Sequence, residues 1–312
     1  MERRQKRTPA PIINPGHFGV SFSLKQCREF KIDQIKALEF LISDLGFRRF
    51  RLMSYWDEHE TTEGNYNFRQ LDAQINMIEK AGGEITLCLG ARQPRWPESH
   101  WPKWALEIPQ AQRYDALCTY IEAVVNRYKS RSCIRSYQLE NEALNHGFGL
   151  QGDFSRARLR REYDLIKQLD PLRPLIMSTS NTYGLPVRRP RPDQFGFTFY
   201  RHQFKSGIYN HSKLPWWWYR ARAWFIQLVT RRRSFIHELQ AEPWGPKSIW
   251  EMPVSEQDKS MSTTQLKTNI ELAIKTKLYP IDFWGGEWWY WRHVNGDKEI
   301  ARTVRDQLIS VY

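Results

Sequence analysis

The sequence predicts an α/β barrel in which eight parallel strands alternate with helices, and three observations carry that prediction. Short apolar runs recur along the chain, separated by segments whose apolar residues return at helical spacing. Two of the runs, Ile134 to Leu139 and Phe235 to His237, lead straight into carboxylates, Glu140 and Glu142 in one case and Glu238 in the other. The 312 residues exceed the roughly 250 that one such barrel needs, and no linker divides them.

The elements follow in order. After a Pro-rich opening, His17 to Ser23 reads as the first strand, and Ile35, Leu38, Ile42 and Leu45 mark a helix that Gly46 stops. Arg48 to Met53 is the second strand. Leu71, Ile75 and Ile78 then form the stripe of a helix ending at Gly82-Gly83. Ile85 to Leu89 is a continuously apolar third strand, as expected of one buried on both faces, and Leu117, Ile121, Val124 and Tyr128 mark the next helix.

Ile134 to Asn141 is the fourth strand, followed by a helix with Leu159, Tyr163, Ile166 and Leu169 on one face. Leu175 to Ser178 and Phe195 to Tyr200 are strands five and six. Pro186, Pro190 and Pro192 between them predict a stunted crossover helix. Phe235 to Glu238 is the seventh strand. Ser262-Thr263-Thr264-Gln265 forms a capping box ahead of Leu266, Ile270 and Ile274, and Ile281 to Gly285 is the eighth strand. The expected architecture is a single-domain (β/α)8 TIM barrel over residues 16–312, preceded by a flexible, basic lead-in over 1–15.

Composition narrows the function. Fourteen tryptophans suit a cleft in which aromatic faces stack on sugar rings, and equally a large core filled by large rings. The net charge of +13 is concentrated in Arg3-Arg4-Gln5-Lys6-Arg7, Arg156 to Arg161, Arg188-Arg189 and Arg231-Arg232-Arg233, which read as solvated faces. Without zinc-knuckle spacing, an RNA-binding sheet signature or a Gly-rich phosphate loop, nucleic acid is not the expected partner. Cys27, Cys88, Cys118 and Cys133 show neither close pairing nor metal-ligand spacing, so no disulfide, metal or other cofactor is expected.

The basic residues at the start are followed by no apolar stretch, so a signal peptide is not expected, and the location is cytoplasmic by default unless an anchor lies upstream. The aromatic run Leu214 to Val229, flanked by arginines, has the composition of a segment lying in a membrane interface but is too interrupted to span a bilayer. Its place between strands six and seven makes it the sixth outer helix, with its aromatics expected in cleft and core.

Carboxylates at the ends of two barrel strands meet the needs of glycosidic bond cleavage. One carboxyl protonates the leaving oxygen and another faces the oxocarbenium-like carbon. A parallel barrel gathers strand ends from distant parts of the sequence at one rim.

With Asn141-Glu142 on strand four and Glu238 on strand seven, the chain resembles clan A of the glycoside hydrolases, retaining barrel enzymes with the acid/base after an asparagine on strand four and the nucleophile on strand seven. The stretches Arg51 to Glu58, Gly90 to Glu98, Phe199 to Arg201, Glu238 to Gly245 and Trp284 to Trp291 look like a bacterial group near the family 5 cellulases and family 42 β-galactosidases. The likeness runs from about Phe18 to the C-terminus. It departs from the pattern at Ala143-Leu144, where relatives often continue the Asn-Glu pair with proline.

The resemblance implies Glu142 as general acid/base, with its pKa raised by an aromatic-walled site, and Glu238 as nucleophile. It implies Arg51 and Tyr200 as the cation and hydrogen-bond donor that hold Glu238 ionised, Asn141 as partner of the sugar 2-hydroxyl, and Trp284 as the floor under the sugar. Arg92, Arg95, Trp96, Glu287 and Trp288 shape the cleft or equally form a structural network of ion pairs under the loops, and Trp56 stands with them as a candidate substrate contact. Glu242 is the alternative nucleophile, though Pro243 after it favours a loop role. Glu140, alternating with Glu142, is expected in a buried ion pair with an arginine of the third strand loop. The implied substrate is a β-linked oligo- or polysaccharide. Two other classes remain open: a catalytically silent glycan-binding barrel, and a basic-surface binder of nucleic acid, anionic polymer or membrane.

Overall fold

In the computed structural model, residues 12–143, 145, 147–149, 154–180 and 190–309 are described. Most of the lead-in, together with Leu144, Pro186 and Arg188-Arg189, lies outside them. Ile13 is already buried and donates its N–H to the Gly46 carbonyl at 3.0 Å.

The elements in chain order are β1 (Phe18–Phe22), α1 (Leu24–Glu29), α2 (Gln34–Glu39) with a π turn over Phe40–Asp44, β2 (Arg49–Met53), α3 (Trp56–His59), α4 (Arg69–Lys80), β3 (Glu84–Leu89), α5 (Lys103–Glu107), α6 (Gln110–Tyr128) and β4 (Ile134–Leu139). The second half holds α7 (Arg156–Leu169), β5 (Leu175–Thr179), β6 (Gln194–Phe199), β7 (His202–Lys205), β8 (Ile208–His211), α8 (Trp216–Thr230), β9 (Arg233–Gln240), α9 (Val254–Met261), α10 (Thr263–Thr276), β10 (Ile281–Trp284), α11 (Gly286–Val294) and α12 (Glu299–Ile309).

Eight strands close a barrel in the order β1-β10-β9-β6-β5-β4-β3-β2, every neighbouring pair parallel. The expected TIM barrel is therefore the fold. Between β5 and β6 the segment expected to hold a stunted helix falls mostly on residues outside those described. An antiparallel hairpin, β7–β8, follows β6 and had no sequence signal. Its entry is tied to β9: the N–H groups of Arg201 and His202 both donate to Gln240 Oε1 at 2.9 Å.

Strand alternation divides the barrel chemically. Phe18, Val20, Phe50, Leu52, Ile85, Leu87, Tyr137, Leu139, Ile236, Leu239, Ile281 and Phe283 join the buried apolar cluster shared with the helices. Apart from Met53, Cys88 and Trp284, which cluster with Tyr55, the intervening residues of β2, β3, β4, β9 and β10 are mostly polar and bond to one another inside the barrel. Arg49 Nε donates to Asp282 Oδ1 at 2.8 Å, Asp282 Oδ2 lies 2.6 Å from His237 Nδ1, and Thr86 and Ser136 hydroxyls are 2.8 Å apart. The four cysteines are buried, free thiols.

Two expectations change. The basic run Arg156 to Arg161 is not wholly solvated, because Arg158 is buried on α7. Its Nη1 pairs with Glu140 and Glu162, each at 2.8 Å. In α8, Tyr219 packs on Phe199 with ring centroids 4.4 Å apart, as expected of an outer helix. Trp217, Trp224, Phe225 and Leu228, however, lie on the protein surface and in neither cleft nor core.

Arg158→Met removes the buried cation that Glu140 and Glu162 share. It is expected to cost about 3–5 kcal/mol in urea unfolding, whereas Arg160→Met, on the exposed side of the same helix, is expected to cost little.

Candidate active site

The carboxylates meet at the end of the barrel where the strands terminate. Glu238 arrives there through an irregularity in β9. Phe197 of β6 pairs with Ile236 but Thr198 pairs with Glu238, so His237 is an extra residue. The same offset shows against β10, where Ile281 faces Ile236 and Phe283 faces Leu239. Such a bulge breaks the alternation and re-aims a side chain. His237 and Glu238, though consecutive, both make contacts inside the barrel.

Glu238 is 7% exposed and is held from two sides. Arg51 Nη1 donates to Oε1 at 2.6 Å, and the Tyr200 hydroxyl donates to Oε2 at 3.1 Å. Burial alone would lower the pKa of Arg51, but the Glu238 carboxylate outweighs it and keeps the guanidinium charged. The Tyr200 hydroxyl is pushed well above its ordinary value by burial and by Glu238, so it stays a donor. Arg51 also donates to Gln138 Oε1 at 2.7 Å, Asn141 Oδ1 at 3.1 Å and the His237 carbonyl at 3.3 Å.

Past Leu139 the strand-four segment leaves the ladder. Glu140 (φ 50°) and Glu142 (φ 43°) take left-handed backbone conformations that non-glycine residues adopt at a cost. Glu140 is clamped by the N–H groups of Ala91 (2.9 Å) and Arg92 (2.7 Å) in addition to Arg158. Its ion-pair partner thus comes from the following helix, while the third strand loop contributes backbone donors. Gly90, at φ 104°, makes this fit possible, since a Cβ there would sit 2.4 Å from Glu140 Oε1.

Glu142 is half-buried. Its carboxyl is raised above the ordinary value chiefly by burial, with Glu238 adding to the shift and the Asn145 amide, donating to Oε2 at 2.5 Å, working against it. The Glu142 N–H is anchored on Ser178 Oγ at 2.8 Å. The Asn141 side chain is fully engaged: Oδ1 accepts from Arg51, Gln138 and Ser178, and Nδ2 donates to Glu98 Oε2 at 2.7 Å.

A second charged group lies beside the first. Arg95 Nη1 donates to Glu242 Oε1 at 2.8 Å, its Nη2 is 3.6 Å from Glu287 Oε2, and its guanidinium carbon lies 4.2 Å from the centroid of the Trp284 ring. Glu287, which also accepts from the Ser23 N–H, is pushed up to about 7, mainly by burial. Trp284 is only 6% exposed. Trp56 and Trp288 offer no surface to a cleft. Trp56 is fully buried, stacked on Tyr120 with its N–H on Glu60, and the Trp288 N–H is on Gln257. Arg92 is buried as a brace, donating to the Asn141 carbonyl at 2.8 Å and the Phe148 carbonyl at 2.7 Å. Trp96 is well exposed and begins a run of ring contacts through Phe148 and Trp244 to Tyr200. Phe148 escaped the sequence reading, since nothing in its local pattern sets it apart from a loop residue, while Glu98 and Trp244 fall within stretches that carry the resemblance but were given no role of their own. Among the described residues no cluster of His, Cys, Asp and Glu is arranged to hold a metal ion.

No protein-family model matches the sequence, and no curated protein matches it. Solved structures do share its fold. The chain is similar to a cold-adapted β-galactosidase from Rahnella sp. R3 (12% identity, TM-score 0.65, covering 97% of this chain and 57% of that one). It is similar to the polyextremophilic β-galactosidase of the Antarctic haloarchaeon Halorubrum lacusprofundi (13%, TM-score 0.58, 86% and 52%). It is also similar to xylanase 10C of Cellvibrio japonicus in complex with xylopentaose (14%, TM-score 0.65, 96% and 70%). The chain thus spans little more than half the length of the two β-galactosidases. At these identities the likeness establishes the barrel fold.

Glu98 is buried, and burial pushes its carboxyl up to about 8, with Asn141 donating against the shift and Glu238 adding to it. Below its ordinary value of 4.5 folded and unfolded chains both hold this proton. As pH rises from there to about 8 only the unfolded chain releases it, so stability is lost across that window and the loss is complete above it. The stability of Glu98→Gln relative to the unaltered protein is therefore expected to grow by up to about 1.4 kcal/mol per pH unit within the window. Parallel stability curves in urea titrations would remove the charge argument.

Proposed function

We propose that the chain is a retaining O-glycoside hydrolase acting on a β-linked oligo- or polysaccharide. The observation that carries this reading is the pairing of unlike carboxyls at one barrel rim. Glu238 is held between a guanidinium and a tyrosine hydroxyl, while Glu142 is biased toward its protonated form. A carboxylate held in an ion pair beside a carboxyl raised by burial divides the work into nucleophile and acid. Solved structures of the same fold are named as β-galactosidases and xylanases, one of them with xylopentaose bound, which supports the carbohydrate class.

In this reading Glu238 attacks the anomeric carbon as the glycosidic C–O bond breaks, and Glu142 passes its proton to the departing oxygen. Glu142, now a carboxylate, takes a proton from water, whose oxygen displaces Glu238 from the anomeric carbon. Asn141, fixed by Arg51 and Ser178, is set beside the reacting carbon, and exchange of Glu98 for a sugar 2-hydroxyl would free its amide for the transition state. Trp96, Phe148 and Trp244 form an aromatic rim for further sugar units. Glu242, engaged by Arg95, serves as a loop anchor.

One observation favours a second reading, a glycan-binding barrel without turnover. Arg95 lies over Trp284, the ring expected beneath the sugar, so a sugar there must displace it. The two readings part on catalysis.

Against aryl β-glycosides and soluble β-glucans, xylans, mannans and galactans, Glu142→Ala is expected to lower kcat by about 10²–10⁴-fold. Glu238→Ala is expected to be inactive, with azide restoring turnover through a glycosyl azide of inverted configuration. Turnover that survives Glu238→Ala moves the nucleophile to Glu242; tight glycan binding without turnover selects the second reading. Because Glu142 must be protonated, kcat/KM is expected to fall as pH rises through its raised pKa. Asn145→Ala, which removes the donor that opposes the shift, is expected to move that alkaline limb to higher pH.

A further inference from the structure

Helix α8 carries an apolar surface for which the barrel has no use. Its inner side, Tyr219, Ala223 and Ile226, is buried. Its outer side presents Trp217, Trp218, Trp224, Phe225, Leu228 and Val229, with Trp224 64% and Leu228 62% exposed. Spacings of three, four and seven residues line these side chains along one face, where a water-facing helix is normally polar. A contiguous exposed apolar face of this kind marks an interaction site.

The charge along this stretch of chain has one sign. From Gln194 through His237 the chain holds eight Lys and Arg and no Asp or Glu. Arg232 pairs with Asp193 at 3.6 Å, but among the described residues Arg220, Arg231, Arg233 and Lys277 enter no ion pair. Three of these, Arg220, Arg233 and Lys277, line a cavity of about 510 Å³ together with Trp224, Phe235 and Tyr279. Arg233 to Phe235 and Gln194 begin β9 and β6, so the cavity lies at the end of the barrel opposite Glu142 and Glu238.

We propose that this face of α8 docks on an anionic lipid bilayer, with Trp217, Trp224 and Leu228 entering the interfacial layer and the cavity cations taking headgroup phosphates. Indole rings favour the membrane interface, and a helix apolar on one face and cationic at its margins lies in that plane. At 15 residues α8 cannot cross a bilayer, and no helix among the described residues is long and apolar enough to do so. A second copy of this chain fits less well, because a two-fold contact sets the same surface against itself and would oppose arginine to arginine. The proposal is independent of the catalytic reading and stands or falls without it.

The test is flotation of the full chain with vesicles of phosphatidylcholine alone or mixed with phosphatidylglycerol, alongside circular dichroism and thermal unfolding of each variant to certify folding. Binding is expected to be at least about tenfold stronger with phosphatidylglycerol and to weaken with added salt. The double variant Trp224→Ser/Leu228→Ser is expected to bind at least about tenfold more weakly with unchanged unfolding. Arg231→Glu/Arg233→Glu should lose the preference for phosphatidylglycerol. The proposal is overturned by an absence of binding to mixed vesicles, or by equal binding of the folded Trp224→Ser/Leu228→Ser variant. A concentration-dependent dimer abolished by those same substitutions would overturn it too, since the face would then belong to a second copy.

Discussion

Arg51 poses the electrostatic problem around which the upper barrel is organised. A guanidinium at 1% exposure is stable only if its charge is matched and its donors are satisfied. Its acceptors are Glu238 and the His237 carbonyl on β9, Gln138 on β4, and Asn141 just beyond β4. Meeting that demand ties β2 to two other strands and fixes Glu238 and Asn141 in the same stroke. Gln138 extends the tie, since its Oε1 also lies 2.9 Å from His237 Nε2, and His237 leads on to Asp282 and Arg49. A buried polar network so fully bonded is rigid, and Glu238 is its outermost member.

This interior explains which parts of the molecule were legible in the sequence. All eight barrel strands lie within two residues of their expected ends, because the outward residues of each strand pack on helices and repeat with a clear period. Glu142 and Glu238 were singled out because they stand at strand ends, Asn141, Arg51 and Tyr200 through the resemblance, and the structure brings the five together. The bulge in β9 left no trace, since Phe235-Ile236-His237-Glu238-Leu239 reads as a plain strand. Burial of Arg158 was equally invisible: within a run of arginines, only the presence of Glu140 and Glu162 in space distinguishes the inward one. Glu98 follows the same rule, its environment being supplied by residues far along the chain.

Tryptophan shows why composition stopped short. The reading offered cleft or core, and the chain uses three places. Trp56, Trp288 and Trp289 are sealed in the interior with their indole N–H groups on Glu60, Gln257 and the Ala241 carbonyl. Trp96 and Trp244 border the carboxylates, and Trp217 and Trp224 face outward on α8. Whether a ring is buried depends on the neighbours that tertiary packing supplies, and a helix with rings on most of its circumference gives no periodic clue.

The bulge at His237 also sets how this strand can change. Alternation ordinarily obliges adjacent residues to serve opposite sides, so a strand cannot place two neighbours in the same compartment. One additional residue lifts that restriction, and β9 supplies in succession a link of the internal network and the carboxylate above it. Loss of a single codon here would preserve the composition of the strand almost intact. Were His237 the residue lost, plain alternation would return with Glu238 still inside and Leu239 still on the helices, but the link from Gln138 to Asp282 beneath the carboxylate would be gone. The bulge thus adds a member to the internal network without displacing the carboxylate that follows it.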